Sequence, residues 1–217
     1  LGERISETIE NHAGDVLCLL AGGSSLDVVG HIQIPIDSER RTIFMMGDER
    51  VSREDDVNNY LQLKARYADH RIFEHVLESL PNEGESQNAF AERMKRTLLE
   101  TIESLNNPKI ICLLGVGADG HTAGIFPMDR HDFQDAYQSD SAYVLVRLPE
   151  GSENRLRTTI TPDWILEHVN ELFMYVVSEE KSHILYMLIA EHKSIFERPA
   201  ELVKQHMQAQ IYTDLVL

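Results

Sequence analysis

Asp119 and His121 lie two residues apart in Gly115-Val116-Gly117-Ala118-Asp119-Gly120-His121-Thr122-Ala123-Gly124-Ile125-Phe126-Pro127. A carboxylate and an imidazole are acid–base groups, and the glycines around them decide how they can be used. Gly115, Gly117 and Gly120 permit positive φ and close backbone approach, so His121 can stand at a rim instead of being packed inside. The alternative from these residues alone is a tight turn whose histidine is merely solvated. The apolar run at residues 110–114 reads as a strand buried on both faces, which places the turn at the carboxyl end of a strand in a parallel sheet. Ligands of open α/β sheets bind at that end.

Three further segments carry chemistry at comparable positions. Ala21-Gly22-Gly23-Ser24-Ser25 follows an apolar run and offers bared backbone N–H groups and two hydroxyls, a combination that suits a phosphate. Ser24 or Ser25 equally reads as the cap of a helix starting at Leu26. Gly47-Asp48-Glu49-Arg50-Val51 follows the next apolar run. Arg50 there can fork onto phosphate or substrate oxygens, or belong to a solvated loop. Asn58 and Asn59 beyond it read equally well as helix caps. Arg155-Leu156-Arg157-Thr158-Thr159-Ile160-Thr161-Pro162 reads as a loop with two guanidiniums and three hydroxyls, ending in a helix cap and first helical position. Lys181, in Ser178-Glu179-Glu180-Lys181, stands at another strand's carboxyl end, and the plain alternative is a solvated lysine in a helix's first turn.

The elements that must position these groups follow from apolar patterning. Strand-like runs occur at 16–21, 42–46, 110–114, 142–147 and 172–177, with a closing strand at 211–217. Helical stripes occur at 5–11, 59–80, 87–105, 180–191 and 199–208. Such alternation predicts a doubly wound α/β fold, a mainly parallel sheet with helices on both faces, formed as one domain over residues 1–217.

With 20 Lys and Arg against 36 Asp and Glu, the formal charge is −16, which excludes a nucleic-acid partner that needs basic phosphate contacts. A phosphorylated ligand is repelled at long range as well, so its site must gather cations locally. The start of the chain is polar and amphipathic, with no signal peptide, and no apolar run approaches the ~20 residues of a membrane span. A cytoplasmic protein is expected, monomeric or weakly dimeric, and a start at Leu1 hints at residues missing before it. Cys18 and Cys112 lie in apolar runs and read as buried, unpaired thiols. The other histidines, among them His31, His70, His75 and His168, lack metal-ligand spacing. Neither metal nor cofactor is expected.

Taken together, Gly22-Gly23-Ser24-Ser25, Gly47-Asp48-Glu49-Arg50-Val51, the 114–123 turn with Phe126-Pro127, Arg157-Thr158-Thr159-Ile160-Thr161 and Glu180-Lys181 resemble, in order, the motifs of the 6-phosphogluconolactonase family. That family sits in the larger group containing glucosamine-6-phosphate deaminases. Ser25 and Leu26 replace the family's usual Thr and Pro, and the segment 26–41 is shorter, with a reduced helix. The resemblance implies hydrolysis of 6-phospho-D-glucono-1,5-lactone, a step of the pentose phosphate pathway. His121 would activate water, Asp119 would orient the site or the imidazole, and Arg50 or backbone N–H groups would meet the oxyanion. The substrate would be held by Gly22, Gly23, Asp48 and Gly117, with Ser24, Ser25, Arg157 and Lys181 at the phosphate. Two alternatives remain at this level: glucosamine-6-phosphate deamination, for which the turn lacks the expected Glu, and a non-catalytic sugar-phosphate effector domain.

Overall fold

A computed structural model of the chain describes residues 1–36, 39–152 and 154–216. The first helix, α1 (Gly2–Asn11), leads into β1 (Val16–Leu20), whose five residues are all buried. A 3-10 segment, Gly23–His31, stands where a helix from Leu26 was expected. Next come β2 (Thr42–Met46), β3 (Asp48–Arg50) and α2 (Asn59–Tyr67), then α3 (Gln87–Ser104) and β4 (Lys109–Gly115). The second half runs α4 (Arg130–Tyr137), β5 (Tyr143–Arg147), β6 (Leu156–Ile160), α5 (Pro162–His168), β7 (Glu171–Val176), α6 (Ser182–Ala190), α7 (Leu202–Gln205) and β8 (Ala209–Thr213).

Five strands form a wholly parallel sheet in the order β2-β1-β4-β7-β8. Side chains alternate across it, as a pleated strand requires. Leu17 and Leu19 of β1, with Cys112 and Leu114 of β4, pack against Phe90, Met94 and Leu98 of α3 and Trp164 and Ile165 of α5. Val16, Cys18 and Leu20, with Ile111 and Leu113, face Ile5 and Ile9 of α1 and Tyr60 and Leu63 of α2. Both thiols are buried and unpaired, and burial pushes each well above the ordinary thiol range.

Several expectations are corrected. The 142–147 strand does not join the parallel sheet. As β5 it pairs antiparallel with β6, which pairs antiparallel with β3, in a separate three-stranded sheet. Both β3 and β6 read as loops from sequence because their residues are mostly charged or Thr, with no apolar run to announce a strand. Gly47 is the pivot: its N–H bonds Leu20 O at 2.7 Å in the parallel sheet, and its carbonyl accepts Ile160 N at 2.9 Å from the small one. Tyr143 Oη donates to Met46 O at 2.5 Å and ties the two sheets together.

The stripe at 59–80 forms a helix only as far as Tyr67, followed by a 3-10 turn at Arg71–His75. The stripe at 199–208 is a 3-10 turn at Pro199–Glu201 followed by the single turn of α7. The helix expected over 180–191 is split into a 3-10 turn at Glu179–Lys181 and α6. The helix α4 carries only two buried anchors, Phe133 and Tyr137, too few for a periodic signal. Leu217, the end of the expected closing strand, lies outside the described residues, as do Asp37 and Ser38 in the shortened 26–41 segment. Among the described residues no helix is long and apolar enough to cross a membrane, and no cluster of three potential metal ligands occurs.

Candidate active site

The chain leaves β1 toward β2 on one side of the sheet and returns as β4 on the other, so the crevice opens between the carboxyl ends of β1 and β4. A cleft of about 200 Å³ lies there. Gly22, Gly23 and Ser24 line it from the end of β1, Asp48 and Arg50 from β3, Gly117, His121 and Ala123 from the turn after β4, and Lys181 from beyond β7.

The 117–121 turn is closed on itself. Gly117 N donates to His121 O and Gly120 N to Gly117 O, both at 2.9 Å. Asp119 Oδ1 accepts the His121 backbone N–H at 3.1 Å and sits 2.6 Å from the ring's Nδ1. With Nδ1–H given to the carboxylate, the ring's lone pair lies on Nε2. Burial pushes the Asp119 carboxyl up, but the bond and charge of His121 outweigh it, and the net shift is below the usual carboxylate value. Phe126 stacks on the imidazole, with centroids 4.7 Å apart at 24°. A Cβ at Gly117 would fall 2.1 Å from His121 Cε1, so the ring occupies the space that glycine vacates. Beyond it the chain bends through Ala123 at φ 50°, a left-handed conformation costly for alanine. Thr122 Oγ1 to Gly115 O at 2.7 Å and Gly124 N to Thr159 Oγ1 at 3.1 Å hold that bend.

At one end of the cleft Lys181 Nζ donates to Ser24 Oγ at 3.0 Å. Burial lowers the Lys181 pKa, and Glu180 opposes the shift. Ser25, expected beside them, is fully buried and turned inward. Its hydroxyl lies 2.7 Å from Gly22 O and 3.0 Å from Ala21 O, so it ties the turn and presents no donor to a ligand.

Arg157 does not join Ser24 and Lys181 either. It stands on β6 in register with Arg50 and behind Phe126, 5.8 Å from that ring's centroid, because the segment read as a loop is a strand. Its Nε and Nη1 lack partners among the described residues. Burial, together with Arg50, lowers its pKa, while Asp48 and Glu49 oppose that. Arg50 itself donates Nη1 to Val57 O at 2.9 Å.

Asp48 is buried, and its Oδ1 has no partner among the described residues. Desolvation raises its pKa against the pull of Arg50, Arg157, His121 and the Gly22 N–H. Beneath it Glu49 accepts the N–H groups of Arg50, Asn59 and Tyr60 and the Ser79 hydroxyl, fixing the start of α2 under the cleft. Burial pushes this carboxyl up to about 8, against the Asn59 and Tyr60 N–H groups. Sequence reasoning gave no role to Phe126, Thr122 or Glu49. Phe126 lay inside a quoted motif, but nothing along the chain indicates that it folds back over the imidazole.

The family model for glucosamine-6-phosphate isomerases/6-phosphogluconolactonase matches residues 1–212. A 6-phosphogluconolactonase of Aggregatibacter actinomycetemcomitans is 28% identical over 169 residues, 75% of this chain but only 63% of the relative, less than two thirds of its length. Among solved structures, a 6-phosphogluconolactonase from Shewanella baltica OS155 superposes with a TM-score of 0.75 at 18% identity, covering 98% of this chain and 88% of that one. The 6-phosphogluconolactonase from Trypanosoma brucei gives 0.72 at 20% identity, covering 98% and 89%. At those identities the structures speak for the fold, and the family model speaks for descent: the chain belongs to the glucosamine-6-phosphate isomerase/6-phosphogluconolactonase family.

Proposed function

We propose that this chain hydrolyses 6-phospho-D-glucono-1,5-lactone to 6-phospho-D-gluconate, serving the pentose phosphate pathway in the cytoplasm. The observation that carries the reading is His121 on the wall of a cleft that also holds Lys181, its ring 2.6 Å from Asp119. A lactone is an activated ester, so a water molecule can attack its carbonyl directly. His121 Nε2 takes the proton from that water and returns one to the ring oxygen as it leaves, while Asp119 holds the ring and supports the imidazolium.

The N–H groups of Gly117, Gly120, His121 and Thr122 are committed inside the turn, and Arg50, on the cleft wall, is the side-chain donor assigned to the oxyanion. Ser24 and Lys181 receive the phosphate, with Gly22 and Gly23 beside them. Asp48 faces the sugar, and Arg157, in register with Arg50 on the neighbouring strand, adds a second positive charge to that wall. The remaining family chemistry, deamination of glucosamine 6-phosphate, needs a further acid–base group, and residues 122–127 carry no carboxylate.

The deciding experiment generates the lactone in place and follows its loss against the spontaneous rate, with ammonia release from glucosamine 6-phosphate measured in parallel. Accelerated lactone loss without ammonia is expected. Ammonia without lactone acceleration reverses the assignment, and binding of 6-phosphogluconate with neither activity points to an effector domain.

A further inference from the structure

Arg198 is 2% exposed, and its charge is answered entirely from within the fold. Nε and Nη2 reach Glu201 Oε1 at 2.7 and 2.5 Å, and Nη1 reaches Glu191 Oε2 at 3.1 Å. Glu201 is equally buried and also pairs with Lys204 at 2.9 Å. A buried ion network is a poor way to gain stability, because desolvation offsets most of the attraction, but it fixes geometry tightly. What it fixes here is the back of the His121 turn. Ala200 N donates to Gly120 O at 2.9 Å. Gly120 has φ 84°, and a Cβ there would lie 2.8 Å from Arg198 Cγ, so the aliphatic stem of Arg198 lies directly against the glycine. Gly120 N is in turn bonded to Gly117 O, and Gly117 N to His121 O. The second carboxylate, Glu191, is half exposed at the carboxyl end of α6.

We infer that Arg198 is a positioning residue for His121, acting through Gly120. Arg198 touches no substrate. This inference rests on the reading of His121 as the base, and its expected signature is a loss in turnover that exceeds the change in substrate binding. A shift of ~1 Å in a reacting group costs about 10²-fold in rate.

The test compares Arg198→Lys, Arg198→Met and the double variant Arg198→Met/Glu201→Met, the last removing both buried charges so that neither is left alone. Each is examined for thermal midpoint, for kcat and KM with the lactone, and for the NMR resonances of the His121 ring. We expect the folded double variant to lose roughly 10- to 100-fold in kcat, with KM changed far less and the His121 ring resonances displaced. Arg198→Lys should recover part of both. A lowered midpoint with His121 resonances and kcat unchanged would mean that Arg198 only holds the fold together, and the inference would be overturned. If the wild type itself accelerates no lactone loss, the functional reading fails, while the His121 resonances still decide whether Arg198 sets the turn.

Discussion

Replacing Gly117 by alanine is the most economical probe of the candidate base, because the added methyl falls 2.1 Å from His121 Cε1 and 2.2 Å from Nδ1. The ring must swing off Asp119 to make room. We expect about 10²-fold loss of turnover in Gly117→Ala, read by stopped assay against the spontaneous rate, with little change in thermal midpoint. His121→Ala should cost roughly 10²–10⁴-fold, and near-wild-type turnover in it would remove the imidazole from the mechanism. At this scale the sequence disclosed residue types and chain order well. His121, Ser24 and Lys181 do come together at one cleft, with Asp119 bonded to the imidazole. It did not disclose orientation: Ser25 is chemically as good a phosphate donor as Ser24, yet its hydroxyl is turned inward to Ala21 O and Gly22 O.

Among the elements, strands announced by apolar runs were legible and strands written in charged and hydroxyl residues were not. Asp48–Arg50 and Leu156–Ile160 pair with each other through the backbone, a tertiary event that leaves no periodicity along the chain. Helices failed in the same way where the burial stripe outlasted the helix, as after Tyr67. The opposite edge of the sheet offers a prediction confined to stability. Asp15 Oδ1 accepts Arg41 N at 2.7 Å and Oδ2 accepts Asn106 N at 2.8 Å, joining the amino ends of β1, β2 and β4 far from the cleft. Asp15→Asn should therefore cost about 1–3 kcal/mol and leave turnover intact. Burial raises this carboxyl, but the N–H groups of Asn106 and Arg41 outweigh it, and the folded pKa lies below the usual value. A depressed carboxyl stabilises the fold above its unfolded pKa of ~3.9 and loses that contribution as pH falls through the folded value. The gap between wild type and Asp15→Asn in urea midpoint should be widest near neutrality and close at lower pH. A gap independent of pH would show that the Asp15 charge is not what matters.

For the molecule as a whole, the charge of −16 would act on a proposed substrate that is itself an anion. The cations available to it, Lys181 and Arg50, stand on the cleft wall and act at contact distance, whereas the acidic surface acts over tens of ångströms when salt is low. The screening length shrinks from about 30 Å at 0.01 M to about 10 Å at 0.1 M. Added salt therefore removes the distant repulsion first and weakens the contact pairs least. Raising KCl across that interval should lower KM for the phosphorylated lactone by up to a few-fold, after which the effect levels off. Unphosphorylated glucono-1,5-lactone, which carries no charge, should show no such dependence and serves as the control. A KM that climbs steadily with salt would mean that Lys181 and Arg50, not the acidic surface, govern the encounter.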